Sequence, residues 1–228
     1  MLVKNWMTKD VITADAGDSM QHAINLMKEH SIRLLPVLSK GKLVGVVTDR
    51  DLKRASPSDA TTLDVHELLY LIARIKIKDV MTKKPITVLE DHTVEEAAEV
   101  LMQKRISGMP VVDAQGQVVG VISQQDLFKV LISLTGYGQR GIQLAFQLED
   151  RPGSIKEVTD IVRSYGGRIV SILSSQEYAP GGFRNVYVRT YGVDRGKLEE
   201  LKKDLRAKAK MLYFVDHRDN KREIYGTH

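Results

Sequence analysis

One stretch of this 228-residue chain is written twice, and a duplicated unit constrains the fold more tightly than any single motif in it. Val3-Lys4-Asn5-Trp6-Met7-Thr8-Lys9-Asp10-Val11-Ile12-Thr13 returns 74 residues later as Ile77-Lys78-Asp79-Val80-Met81-Thr82-Lys83-Lys84-Pro85-Ile86-Thr87. Ile32-Arg33-Leu34-Leu35-Pro36-Val37 is answered by Ile106-Ser107-Gly108-Met109-Pro110-Val111. Val44-Gly45-Val46-Val47-Thr48-Asp49-Arg50-Asp51-Leu52 is answered by Val119-Gly120-Val121-Ile122-Ser123-Gln124-Gln125-Asp126-Leu127, at an offset of 75. One residue has entered a turn while the surrounding pattern is kept, which is the mark of a repeated supersecondary unit.

Both copies predict the same elements. An extended segment (Val11 to Thr13; Ile86 to Val88) leads into an amphipathic helix, with Met20, Ala23, Ile24 and Met27 on one face in the first copy and Val94, Ala97, Ala98 and Leu101 in the second. Thr93 and Glu96 have capping-box spacing. Two apolar strands follow, Leu35 to Leu38 and Leu43 to Val47, with counterparts Met109 to Val112 and Val118 to Ile122, and a second helix opens at Thr48 or Ser123. Ser56-Pro57-Ser58-Asp59 breaks the chain, and Val65, Leu68, Leu69 and Ile72 form one face of a linker helix.

After Thr135-Gly136-Tyr137-Gly138-Gln139-Arg140-Gly141 the pattern changes. Ile142, Leu144, Phe146 and Leu148 alternate as a strand, and Asp150-Arg151-Pro152-Gly153 turns into a helix carrying Ile155, Val158, Ile161 and Val162 that ends at Gly166-Gly167. Two strands, a helix to Lys208 and a last strand give the order βαββαβ, a ferredoxin-like sandwich. The fold class is therefore α+β, with α/β-type repeats. The expected organisation is repeat 1 over 1–60, a linker helix over 61–76, repeat 2 over 77–136, the βαββαβ domain over 137–216 and a loosely held polar tail over 217–228.

Composition excludes more than it assigns. Zero Cys removes disulfides, thiolate nucleophiles and cysteine-based zinc sites. No run approaches the roughly 18 apolar residues of a membrane span, and the N-terminus enters the first repeat without a signal-peptide core, so a cytoplasmic protein is expected. The net charge of +5 arises from 34 basic against 29 acidic residues, a mixed balance. The cluster Lys197, Lys202, Lys203, Arg206, Lys208 and Lys210 is interleaved with Glu199, Glu200 and Asp204 and reads as a solvated helix face, with a polyanion patch as the alternative. The six His residues show no metal spacing, and neither a nucleophile elbow nor a P-loop occurs. No catalytic machinery, metal or cofactor is expected.

The repeated Gly-apolar-apolar-Thr/Ser-x-x-Asp carries the chemistry. An acid at a helix start accepts hydrogen bonds from both hydroxyls of a ribose, while the hydroxyl and the amides of the helix N-terminus face the place a phosphate would take. The competing reading is a helix cap, since a hydroxyl followed three residues later by an acid is the capping-box spacing, although Asp reaches back less well than Glu. Arg33, Arg50, Lys53 and Arg54 surround the first copy, where the second has Ser107, Gln125, Phe128 and Lys129. A nucleotide with more than one phosphate should favour the first copy, the alternative being that these residues form an ordinary exposed basic cluster.

These linked motifs resemble a tandem pair of CBS domains, over about the first three fifths of the chain. The last domain, through Asp150-Arg151-Pro152-Gly153 and Gly166-Gly167, resembles an ACT domain, and the combination is similar to acetoin-utilisation proteins of the AcuB type. The resemblance implies that Thr48, Asp51, Ser123 and Asp126 hold the ribose and first phosphate of an adenosine nucleotide and that Val11, Ile12, Pro85 and Ile86 flank the adenine; the charge around the first copy adds Arg33 and Arg50 as phosphate-binding candidates. It further implies a homodimer and a regulated partner protein. Asp150, Arg151 and Gly153 would receive an amino-acid effector, against which stand Pro152 as an ordinary helix start and Ser154 with Glu157 as a capping box. Two rival functions are a nucleic-acid-binding regulator using the basic late helix and a structural adaptor with empty clefts.

Overall fold

In each repeat the extended and helical periodicities become strand, helix, hairpin and helix. The computed structural model describes residues 1–56 and 74–225, so the linker-helix face of Val65, Leu68, Leu69 and Ile72 lies outside the described residues. The first repeat contains β1 (Ala14–Asp15), α1 (Met20–Glu29), β2 (Leu34–Ser39), β3 (Lys42–Thr48) and α2 (Asp49–Ala55). The second contains α3 (Ile77–Val80), β4 (Thr82–Lys83), β5 (Val88–Leu89), α4 (Val94–Lys104), β6 (Gly108–Val112), β7 (Val118–Ser123) and α5 (Gln124–Thr135). Ser19 caps α1 by accepting from His22 N–H at 3.2 Å, and the Thr93–Glu96 capping box on α4 forms in both directions. The β2–β3 turn places Lys40 and Gly41 at positive φ, as a two-residue hairpin turn of the right twist requires.

The repeat in the sequence is not the unit of folding. Strand β4 belongs to the second copy, yet it pairs antiparallel with β3 of the first, Gly45 opposite Lys83 and Val46 opposite Thr82. The exchange is reciprocal: Thr8 and Val121 trade backbone hydrogen bonds of 2.9 and 3.0 Å. Val3 N–H donates to His92 O, and Ile77 N–H donates to Asp18 O. Ile77 is fully buried in the core of the first half with Met20, Leu35, Val47 and Leu52. The opening segment of each copy therefore completes the other copy's sheet, across the repeat bounds of 1–60 and 77–136. It also explains why glycine recurs at 45 and 120. A Cβ on Gly45 would lie 2.9 Å from the carbonyl oxygen of Thr82 and against the Met81 sulfur, and one on Gly120 would strike the side chain of Met7.

The chain divides into two compact units, Met1–Phe128 and Lys129–His228, with the division inside α5 rather than at the expected boundary near residue 136. In the second unit, β8 (Ile142–Glu149), α6 (Ser154–Ser164), β9 (Arg168–Ser175), β10 (Phe183–Tyr191), α7 (Leu198–Lys208) and β11 (Lys210–Asp216) follow the βαββαβ order. A further strand, β12 (Lys221–Ile224), extends the sheet to the order β12-β11-β8-β10-β9, antiparallel throughout. Leu144, Phe146, Val186, Val188 and Phe214 from the sheet and Val158, Val162, Leu201 and Leu205 from the helices make one core.

Two expectations are corrected in this unit. The segment after Asp216 is polar but not loose, because β12 pairs with β11 from Tyr213↔Ile224 to Asp216↔Lys221. Lys202 is not on a solvated face: it is 2% exposed, lies 5.0 Å from the centre of the Phe214 ring and donates to Glu223 at 2.8 Å. A buried ammonium needs a carboxylate within reach, and β12 supplies it.

The expected Ser154–Glu157 capping box is also absent. Gly153 occupies the N-cap at φ 87, Ser154 Oγ donates to Arg151 O, and Glu157 instead receives the Arg151 guanidinium in a bidentate pair of 2.8 and 3.0 Å. Bonds from Arg151 and then Lys208 hold the Glu157 carboxyl down at about 2, and those from Lys202 and Tyr225 do the same for Glu223, also at about 2. Both values lie below the ordinary 4.5, so the stabilisation is complete above about pH 4.5 and is lost as pH falls towards 2. Thermal unfolding of this unit should accordingly drop in midpoint between pH 5 and pH 2. In Glu223→Gln the drop should be shallower, and an identical slope in the variant would contradict this assignment.

Candidate ligand cleft of the repeated unit

Strand β3 ends at Thr48, whose extended backbone turns directly into α2. The Thr48 N–H and hydroxyl both donate to Asp51 Oδ2, at 2.9 and 2.6 Å, and Asp51 N–H donates to Thr48 Oγ1 at 3.3 Å. In the second copy the Ser123 N–H and hydroxyl donate to Asp126 Oδ2 at 3.0 and 2.7 Å. Aspartate thus reaches back as well as glutamate would. Capping does not displace the ligand reading at the first copy, since both bonds from Thr48 fall on Oδ2 and Oδ1 carries neither.

A cleft of about 490 Å³ opens in front of this pair. Thr48, Asp49, Arg50, Asp51 and Arg54 contribute from the first copy, and Thr82, Lys84, Pro85, Ile86, Arg105, Ser107 and Gln124 from the second. Leu34, Val46, Ile106 and Pro110 add apolar surface. The strand exchange creates this arrangement: β4 pairs with β3, and the chain leaving β4 carries Lys84, Pro85 and Ile86 past Thr48. Ile86 is 38% exposed and offers apolar surface at the cleft wall.

Of the residues singled out in the sequence, Thr48, Arg50, Asp51, Pro85 and Ile86 converge here. Val11, Ile12, Ser123 and Asp126 are not among the residues that line this cleft. Arg33 does not line it either, although its backbone adjoins the first motif. Its side chain is exposed, and its carbonyl accepts from Asp49 N–H at 3.1 Å. Ser107, the residue matching Arg33, stands in the cleft instead. Sequence reasoning missed Lys84 and Arg105, and the signal that would have found them is the exchange itself, since this cleft draws its far wall from the opposite copy.

In the C-terminal unit Asp150, Arg151 and Gly153 adjoin at the β8–α6 turn. Asp150 is held by Arg184 at 2.6 Å and Gln176 at 2.5 Å, and Arg151 by Glu149 and Glu157. The groups expected to receive an effector are therefore engaged within the unit. Among the described residues no cluster of three or more His, Cys, Asp or Glu is placed to hold a metal ion, and no helix is long and apolar enough to cross a membrane.

Residues 3–58 and 77–133 match the CBS domain family. A CBS domain-containing protein of Dictyostelium discoideum is 30% identical over 135 residues, covering 59% of this chain and 93% of that protein. Inosine-5′-monophosphate dehydrogenase of Korarchaeum cryptofilum is 35% identical over 125 residues, 55% of this chain, but the chain spans only 23% of that enzyme's length. Among solved structures, a CBS domain pair crystallised with 5′-methylthioadenosine and S-adenosyl-L-methionine shares 31% identity, with 57% of this chain and 95% of that chain covered and a TM-score of 0.48. With both copies matched, and almost the full length of the Dictyostelium relative aligned at this identity, the chain belongs to the CBS-domain family.

Proposed function

We propose that this is a regulatory protein without catalytic activity of its own, which senses an adenosine-containing ligand in the cleft beside Thr48 and Asp51. The observation that carries the reading is the juxtaposition, by strand exchange, of a carboxylate anchored at a helix start with the apolar segment Pro85–Ile86. A ribose and a flat base have matching chemistry, and the volume falls in the range of small-molecule sites. Binding regulates only to the extent that it favours one of two arrangements of the protein. A thermal-shift screen over AMP, ADP, ATP, S-adenosylmethionine and NAD tests it. A raised midpoint with at least one is expected, and none with any would favour the structural adaptor.

The C-terminal unit we read as an ACT domain, supported by its βαββαβ order and the Asp150-Arg151-Pro152-Gly153 turn, and we assign it to homodimerisation, with regulation of a partner protein in acetoin or related carbon catabolism. Strand β9 is an edge strand, with Ile172 39% exposed, and an open edge of this kind invites pairing. Sedimentation at low micromolar concentration should show a dimer for the intact chain and easier dissociation for a chain ending at Thr135. A monomeric intact chain, or equal dissociation of the two, would remove this role. The basic helix α7 does not favour nucleic acid, because Lys202, Arg206 and Lys208 face Glu223 and Glu157 within ion-pair distance.

A further inference from the structure

Four cations converge on the cleft: Arg50 and Arg54 from α2, and Lys84 and Arg105 from the second copy. Among the described residues none of the four forms a salt bridge, although Asp49 and Asp51 line the same cleft. In the C-terminal unit, by contrast, Arg151, Lys156, Arg195, Lys202 and Lys208 all have carboxylate partners. Unpaired like charges held close together repel one another, and a multiply charged anion relieves that repulsion. Of the positions that match these four in the other copy, Gln125, Lys129, Asp10 and Ser31, one alone is a cation, so three of the four charges belong to this cleft and not to the repeat.

We infer that this cleft selects an adenine nucleotide with two or three phosphates, and that Arg105 and Lys84, reaching in from the second copy, determine that selectivity by taking the phosphates beyond the first. The inference rests on the reading of the cleft as an adenosine site. Arg105 is the C-cap of α4 in the left-handed conformation, φ 53 and ψ 40, and Ser31 holds the same conformation at φ 53 in the other copy. The backbone there is set by the repeat, and the guanidinium is the addition. A guanidinium binds phosphate oxygens in a fork, which an ammonium does not reproduce.

Asparagine accepts the left-handed conformation, so Arg105→Asn removes the charge while keeping the turn. Calorimetric titration of the full chain with adenosine, AMP, ADP and ATP, without divalent cations, should show affinity rising with phosphate number. Arg105→Asn should lower ATP affinity about tenfold and leave adenosine affinity unchanged, with Arg105→Lys in between. A melting curve close to that of the parent verifies the fold. ATP bound no more tightly than adenosine, or an equal loss across the series in Arg105→Asn, would overturn the inference and leave the adenosine site standing. Tripolyphosphate bound as tightly as ATP, or no binding of any of the nucleosides, would overturn both.

Discussion

Replacing Asp51 by alanine is expected to weaken adenine-nucleotide binding about tenfold to a hundredfold, the equivalent of losing one or two hydrogen bonds to a charged group. Asp51 stands in the cleft with Oδ2 turned to Thr48 and Oδ1 carrying neither of those bonds. The same substitution removes a capping box, which costs helix α2 about 1 kcal/mol. Affinity must therefore be compared below the unfolding transition of the variant. Calorimetry on parent, Asp51→Ala and Asp126→Ala separates the copies. Equal affinity in Asp51→Ala and parent would remove Asp51 from the site, and loss in Asp126→Ala alone would move the site to the second motif.

Gly45→Ala should destabilise the first unit by about 1–3 kcal/mol, the usual cost of forcing a methyl into a filled space, and weaken nucleotide binding as well. The added Cβ meets the carbonyl oxygen of Thr82, a backbone atom of β4 that has no alternative rotamer. Displacing β4 displaces Lys84, Pro85 and Ile86, which follow it into the cleft. Gly120→Ala meets only the flexible Met7 side chain and should cost less. Urea unfolding of the two variants gives the comparison. Equal stability, or destabilisation by Gly45→Ala with the affinity retained, would mean that β4 does not position the cleft wall.

Much of this architecture was legible in the sequence because it is local. The helices of both copies announced themselves through residues such as Met20, Ala23 and Met27, and Thr93–Glu96 formed the cap its spacing predicts. The exchange of opening segments was not legible. Strand β4 is two residues long and the Thr8–Val121 pairing is a single bridge, so neither is long enough to show a period of two. The lining of the cleft follows from the exchange: the fold brings Ser107 and Arg105 to the first motif, and Arg33 is not among the lining residues. In the C-terminal unit the tail was misjudged because hydropathy does not register charge pairing. Strand β12 is held by Glu223 against the buried Lys202 rather than by apolar residues.

Photolabelling with 8-azido-AMP, followed by peptide mapping, tests the adenosine site most directly. The label is expected on the segment Lys84 to Thr87, which carries Pro85 and Ile86 along the cleft wall, and excess AMP should suppress it. Labelling that AMP does not suppress, or that falls only on residues after Lys129, would contradict the assignment of this cleft as the adenosine site.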